Sequence, residues 1–546
     1  MYRARTKSTP AATRWLAIAG LSILPFAGLV RGQDAPTDPA SDGEEPAAAA
    51  ATSLYIREYR VVGAKKLPRE KVETAVYSYM GPGRTAADVE AARAALEKAY
   101  KDEGYQTVSV SVPEQRGRGG IVVLSVTEAP IGRLRVLGSR YFDINKIKRR
   151  AKSLAEGTVP NFNDVQRELM SLNKKPDLRI TPEFRPGALP GTVDVDLVVQ
   201  DTFPFHASLE LNNRYSANTT PLRLDASARY DNLWQLGHTI GFGFQIAPQR
   251  PEDAIVYSAY YIAPIPGIEW LSFMAQGIRQ NSNVSTLGGT AVAGNGYVLG
   301  GRFLFDLPSK PGFFHSASLG MDYKNFEQNL DLGTEIVESP VAYFPVVASY
   351  NGFWMGKGYQ LELDAAFNFS FQGLGSNEIE FDNRRYGSDG SFFYFRGTFG
   401  VTRDLPLGFQ AFAQIQGQAA AMPLIDSEQF ALGGLNTIRG YLESEALGDS
   451  AVAGTFELRS PSLLAWVKPE WNEWRVFAFL DAGAAWLNDP LPEQQSEFSL
   501  WSFGFGSTIR LLDHVNGSFV VGFPQVTQST TLAGSQLFTF RVWGEL

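Results

Sequence analysis

From Phe205 to its last residue the sequence keeps a period of two. Phe205, Ala207, Leu209 and Leu211 alternate with His206, Ser208, Glu210 and Asn212. Leu222, Leu224, Ala226, Ala228 and Tyr230 alternate with Arg223, Asp225, Ser227 and Arg229. Successive side chains on a strand point to opposite faces, so each segment has one apolar and one polar face. Such strands build a soluble sandwich with the apolar face inward, or a membrane barrel with the apolar face toward lipid and the polar face toward a wet lumen. Segments of about ten residues or more, repeated to the C-terminus, point to the barrel.

Sixteen strands fit the pattern, at 204–214, 221–231, 238–247, 255–264, 268–281, 293–307, 313–327, 339–350, 358–370, 393–403, 408–419, 451–460, 474–486, 499–511, 516–524 and 536–545. Odd-numbered connections include the long segments 371–392, 420–450 and 487–498; most even-numbered ones are short, with 461–473 the exception. Long loops on one side and short turns on the other are the habit of outer-membrane barrels. An even count returns both ends of the barrel to one side. Phe538, Phe540, Val542 and Leu546 share a face at the end of the chain, although such barrels usually close on an aromatic residue.

Residues 1–32 read as a signal peptide. Arg3, Arg5, Lys7 and Arg14 precede an apolar stretch from Trp15 to Val30, too short for a membrane anchor, and Val30-Arg31-Gly32 offers small residues for cleavage. Residues 33–52, rich in Ala, Pro, Asp and Glu, read as a flexible linker.

Between them and the barrel, one order of elements occurs twice. Leu54–Val62 alternates as a strand; Glu70–Tyr79 and the stretch from Thr85 to Gly104 have helical spacing; Tyr105–Val112 and Ile121–Val126 are strands. Thr85 with Asp88 three residues on is an acidic form of the capping box. Ile131–Leu137, Ile144–Leu154, Phe162–Asn173, Leu178–Phe184 and Thr192–Val199 repeat the β-α-α-β-β order. The fold class expected is mainly β: a C-terminal 16-stranded transmembrane barrel at 203–546, preceded by two β-α-α-β-β domains at 53–128 and 129–202.

Residues 53–201 carry a net charge of +6 and residues 202–546 a net of −14. The basic residues are diluted by acids and lack an aromatic platform, which argues against nucleic acid as a partner. The chain has no cysteine, so disulfides, thiolate metal sites and cysteine nucleophiles are excluded. It contains no HExxH, GxSxG or Walker A motif, and Gly352-Phe353-Trp354-Met355-Gly356-Lys357 has the wrong spacing for the last. His206, His238, His315 and His514 are scattered along the sequence and read as structural. No enzyme activity, metal or cofactor is expected.

The tandem resembles a pair of POTRA domains. Leu172-Asn173…Pro176 followed by Pro186-Gly187…Pro190-Gly191-Thr192-Val193-Asp194 is similar to the second POTRA domain of two-partner secretion transporters, the TpsB or ShlB/FhaC/HecB type. Asn213 to Gly237, with Arg229-Tyr230-Asp231-Asn232-Leu233-Trp234-Gln235-Leu236-Gly237, is similar to the start of a TpsB barrel. Connection 420–450 contains Gly433-Gly434-Leu435-Asn436-Thr437-Ile438-Arg439-Gly440-Tyr441, and Ile438–Tyr441 resembles the (V/I)RG(F/Y) motif of the BamA and TpsB superfamily. In that superfamily the motif lies on the sixth extracellular loop, folded into the lumen; here the connection is the sixth odd-numbered one. Phe479-Leu480-Asp481-Ala482-Gly483 resembles the FxDxG strand motif of the same superfamily.

The resemblance implies an outer-membrane translocator with its N-terminal domains in the periplasm. It would export an unfolded secreted exoprotein, a TpsA, haemolysin or adhesin-like partner. It would act as a monomeric barrel in outer-membrane lipid, without a nucleotide. The alternatives are an outer-membrane insertase of the BamA or TamA kind, whose more numerous POTRA domains are not matched here, and a passive porin. TpsB proteins often carry an N-terminal plug helix, from which the short Pro-rich tract Gln33–Thr52 departs. The expected site is the loop motif Ile438, Arg439, Gly440 and Tyr441, with Phe479, Asp481, Gly483 and Glu457 on the lumenal wall. Alternation points Phe477, Phe479 and Asp481 inward and Val476, Ala478, Leu480 and Ala482 to lipid; Glu457 and Arg459 also point inward. An arginine inside a barrel needs an anion, and Asp481 offers a bidentate partner. Screened by a wet lumen, the pair should add about 1 kcal/mol or less to stability.

Overall fold

The computed structural model describes residues 53–115, 118–285, 292–327, 329–331, 336–338, 340–464 and 472–546. The signal peptide expected at 1–32, the linker at 33–52 and any plug helix within it lie outside the described residues. The chain forms two compact units, which divide between Phe203 and Pro204.

The first unit holds two small α/β layers in sequence. In the first, Glu58–Val62 pairs parallel with Ile121–Glu128, which pairs antiparallel with Val108–Ser111. Helices Arg69–Tyr77 and Ala86–Asp102 cover this sheet. Val72, Val76, Val89, Ala92, Leu96 and Tyr100 recur at helical spacing and are buried against Leu124 and Val126. Thr85 donates to Asp88 Oδ2 from its backbone nitrogen (2.8 Å) and its hydroxyl (2.9 Å). These two bonds, the backbone one first, hold the Asp88 carboxyl below its ordinary range. The sequence missed a short strand, Gly81–Arg84, which pairs with Leu54–Ile56. The segment Gly81-Pro82-Gly83-Arg84 has none of the β-branched or aromatic residues that mark strands.

The second layer repeats the plan. Ile131–Leu137 pairs parallel with Val193–Asp201, and Leu178–Pro186 pairs antiparallel with the same strand. Helices Ile144–Arg150 and Phe162–Leu172 bury Ile147, Val165 and Leu172 over Val195 and Leu197. Asn173 closes the second helix onto the sheet, accepting from Ile180 N at 2.7 Å and donating to Ile180 O at 3.0 Å. Asp196, buried on the central strand Val193–Asp201, is held by Arg135 at 2.7 Å and Arg185 at 3.2 Å.

The second unit is a closed antiparallel barrel of sixteen strands. They are β1 (Phe205–Asn212), β2 (Arg223–Leu233), β3 (His238–Ile246), β4 (Ala254–Pro264), β5 (Leu271–Ser285), β6 (Val292–Asp306) and β7 (Phe313–Glu327). β8 is interrupted, Val341–Tyr343 and Val346–Gly356, because Pro345 removes a backbone donor from the ladder. β9 (Tyr359–Ser370), β10 (Phe392–Asp404), β11 (Gln410–Ala420), β12 (Ser450–Arg459), β13 (Glu473–Trp486), β14 (Glu497–Leu511), β15 (Val515–Pro524) and β16 (Leu537–Glu545) complete the wall. β16 pairs with β1 only from Arg541↔Asn212 to Glu545↔Ser208. Beyond that register the side chain of Asn213 stands in for backbone, donating to Phe538 O and accepting from Phe540 N, both at 2.7 Å.

Alternation sorts the residues as the period of two requires. Leu209, Phe242, Leu299, Phe303, Phe503 and Phe505 are exposed on the outside of the wall. A soluble sandwich would bury that face. Here it forms an apolar belt turned outward from a closed barrel. The ninth connection, between β9 and β10, contains a helix, Glu378–Arg384, that the period did not reveal.

Candidate functional site

The eleventh connection, 421–449, runs through the barrel interior and is tied to its wall at both ends. Its descending limb carries Glu428, which is fully buried. Lys324 Nζ donates to Glu428 Oε1 at 2.6 Å, the oxygen that also accepts from Tyr343 OH, and Tyr394 OH donates to Oε2 at 2.6 Å. A buried carboxylate is tolerated only when paired and hydrogen-bonded in this way. Around it pack Phe326, Val341, Phe381, Phe392, Leu424 and Ile425. Arg384 from the helix of the ninth connection reaches Asp426 at 3.1 Å. The sequence reading missed Glu428, which stands in the polar run Asp426-Ser427-Glu428-Gln429 and so carries no signal of burial.

The loop tip seats on the stretch of wall formed by β12 to β15. Arg439 forms a fork with Asp481 on β13: Nε to Oδ2 and Nη2 to Oδ1, both 2.7 Å. Its backbone nitrogen adds a third bond to Oδ2 at 3.0 Å, and Nη1 donates to Glu457 on β12. The guanidinium sits 3.8 Å from the centroid of the Phe479 ring, within cation–π reach. Thr455 donates to Asp481 Oδ1 at 2.9 Å, Arg459 holds the other oxygen of Glu457 at 2.6 Å, and Ser502 donates to the Arg439 carbonyl. Arg439 is 6% exposed and Asp481 0%. The expected solvent screening is therefore absent, because the loop tip and two aromatic rings exclude water from the pair. The wall places Phe477, Phe479 and Asp481 in the interior, and Val476 and Leu480 outside.

The wall has been hollowed to receive these groups. Cross-strand register aligns Glu457, Phe479, Gly504 and Gly522 in one row and Thr455, Asp481, Ser502 and Pro524 in the next. A Cβ on Gly504 would stand 2.5 Å from Phe479 Cζ, and one on Gly506 would stand 2.1 Å from Phe477 Cζ. The two rings thus lie in glycine slots. Gly440, at φ +91°, presses its backbone on Gly522, where a Cβ would meet Gly440 Cα at 2.5 Å. Ile438 is fully buried, with its Cδ1 beside Gly483. Tyr441 OH accepts from Val526 N at 3.0 Å and faces the carbonyls of Trp501 and Val526 at 3.1 Å. Glu443 reaches toward β1, accepting from Arg214 Nε at 2.8 Å. All eight residues singled out in the sequence thus meet at one place. Thr455, Ser502, Gly504, Gly506 and Gly522 were missed, since small residues in strands carry no signal until the register is known.

The histidines, dispersed in sequence, all lie at the rim with the short turns. His238 bonds Tyr261 OH, His315 bonds Pro308 O at 3.1 Å, and His514 bonds Glu545 O at 2.9 Å.

Two family models match the chain. That of haemolysin secretion/activation proteins, ShlB/FhaC/HecB, matches residues 191–509, and that of the ShlB-type POTRA domain matches residues 54–129. The outer membrane transporter CdiB of Dickeya dadantii (strain 3937) is 22% identical over 443 residues, which are 79% of this chain and 76% of the relative. The structure of CdiB from Escherichia coli aligns with a TM-score of 0.64 at 18% identity, over 92% of this chain and 93% of that one. BamA from Haemophilus ducreyi, lacking its POTRA domains 1–3, aligns with a TM-score of 0.56 at 13% identity, over 90% and 100%.

Proposed function

The chain belongs to the ShlB/FhaC/HecB family of haemolysin secretion/activation proteins, and from that premise we propose that it is an outer-membrane transporter passing a secreted partner protein through its barrel. The observation that carries this reading is the loop 421–449, fixed inside the barrel by Glu428 against β7, β8 and β10 and by Arg439 against β12 and β13. An interior element fixed by buried ion pairs suits a transporter, because a route wide enough for a polypeptide must be obstructed at rest.

The cargo would enter unfolded. The N-terminal residues, divided here as 53–128 and 129–202, would stand in the periplasm. There the edge strands Val108–Ser111 and Leu178–Pro186 offer unpaired backbone groups to an extended chain. The barrel, residues 203–546, would work as a monomer with its apolar belt in outer-membrane lipid. Ile438, Arg439, Gly440 and Tyr441 would serve as the latch, and Glu457, Phe479, Asp481 and Gly483 as its keeper. No step calls on a nucleotide; directionality would come from binding along the path and folding of the cargo outside.

The test is to delete the gene and compare secreted proteins with the parent strain. Loss of one large exoprotein, with the outer-membrane protein profile unchanged, is the expected result. The likeness in fold to BamA favours a second reading, membrane-protein insertion. Under it, the deletion would deplete integral barrels instead.

A further inference from the structure

The two rims of the barrel differ in which side chains occupy left-handed backbone. That region crowds Cβ against the following carbonyl; Asn and Asp tolerate it best, and bulky residues are rare in it. Among the described residues of the odd-numbered connections, the non-glycine residues there are Asn218, Ser444 and Asp489, all polar. At the opposite rim, beside polar residues such as Asn472 and Asp513, stand Trp234 (φ 54°), Leu407 (φ 63°) and Leu512 (φ 53°). Leu512 and Asp513 are the centre of a turn closed by His514 N to Leu511 O at 3.2 Å. Asn-Gly is the usual choice at such a place.

These strained side chains are also turned outward. Trp234 is 67% exposed, Leu407 87% and Leu512 67%. The hairpins hold these backbones in place, and apolar surroundings would add burial that water does not give such exposed side chains. The same rim continues the outer belt. Trp270, on the fourth connection, stacks on Phe305 at 6.2 Å, and Trp234 stands edge-on to Tyr261 at 6.4 Å.

We propose that Trp234, Leu407 and Leu512 insert into the interfacial layer of the periplasmic leaflet, so that the partner of this rim is a lipid surface and the turns set the depth of the barrel. The proposal rests on the outer-membrane reading above and is independent of export. Aromatic and aliphatic groups at the headgroup boundary gain contact with acyl chains while the turn backbone stays hydrated. Three anchors on the second, tenth and fourteenth connections would act on separated parts of the circumference, and so oppose tilt as well as vertical displacement.

Because the chain has no cysteine, single substitutions Leu407→Cys, Leu512→Cys and, at the far rim, Asp489→Cys can each carry an environment-sensitive nitrobenzoxadiazole probe. The full-length chain is inserted into phosphatidylethanolamine–phosphatidylglycerol vesicles with acyl chains brominated near the headgroup. Probes at 407 and 512 should be quenched by about twofold or more relative to the one at 489. Equal quenching at all three, or probes at 407 and 512 shielded from both brominated lipid and aqueous iodide, would overturn the proposal, the second result indicating a protein contact. A second variant combines Leu407→Asn with Leu512→Asn, since Asn accepts the same backbone. Its thermal midpoint in detergent should not fall, whereas the fraction inserting into vesicles should drop by about half or more. Insertion equal to the parent would also overturn it. Failure of the parent itself to enter vesicles would instead refute the outer-membrane reading.

Discussion

Replacing Arg439 by alanine removes the cation from a site that keeps two buried carboxylates. Asp481 would retain Thr455 and the backbone nitrogen of residue 439, and Glu457 would retain Arg459. The lost bonds are the fork to Asp481, at 2.7 Å for each arm, and the contact with Glu457. Breaking a buried pair from one side costs roughly 3–5 kcal/mol, because the surviving charge is left uncompensated. That cost falls on the loop. The wall is closed by backbone ladders that do not pass through Arg439. The loop can leave its seat and hydrate Asp481, so the variant should resemble the parent in barrel content and resistance to heat in detergent. Its segment 432–445 should become accessible to protease from outside, and export should fall. Adding Asp481→Ala to Arg439→Ala removes the stranded charge, and the double variant should be no worse than either single one. Arg439→Lys should be intermediate, since an ammonium cannot fork. The assay is exported cargo per folded transporter, with limited proteolysis of inserted protein on the same samples. A loop in Arg439→Ala as protected as in the parent would refute the reasoning, as would additive losses in the double variant.

Gly522→Ala should unseat the same tip without touching a charge, because its Cβ would stand 2.5 Å from Gly440 Cα; protease accessibility of 432–445 matching that of Arg439→Ala is the expected result. Tyr441→Phe leaves Val526 N and two carbonyls without their hydroxyl partner, a loss of about 1 kcal/mol, and should give a partial loosening by hydrogen exchange. Deleting 432–445 should raise single-channel conductance in planar bilayers, and an unchanged conductance would mean that the loop tip does not obstruct the pore. The N-terminal fragment 53–201, with its net charge of +6, should bind an unfolded cargo segment better than a folded one, with an affinity that weakens in salt; isothermal titration at two ionic strengths checks both.

The barrel was legible because its physics is written in a period of two. All sixteen strands could be placed from which residues face lipid, and parity alone turned Asp481 and Glu457 inward before any contact was known. What parity cannot express is what stands in front of a wall residue. Arg439 and Asp481 were expected as a hydrated couple, whereas the structure joins them in a buried seat, since burial here depends on the loop tip that covers them and on rings set into Gly504 and Gly506. The Glu428 node was invisible for the same reason. Its partners Lys324, Tyr343 and Tyr394 come from the nearby strands β7, β8 and β10, and period alone does not say which loop residue is set among them. The helix Glu378–Arg384 was hidden by its shortness, a single pair of turns within a loop whose polar composition signals no element.

The seat for the loop tip is divided among β13, which gives Asp481, β14, which gives Ser502, and β15, which gives Gly522. All three follow the loop in the chain. The carboxylate partner of Arg439 is therefore walled in only when β14 and β15 have paired beside β13, so latching requires these hairpins. A chain truncated after β14 would keep every charged group of the latch and still lack Gly522 and the carbonyl of Val526. Such an intermediate would be a sheet with an unlatched loop.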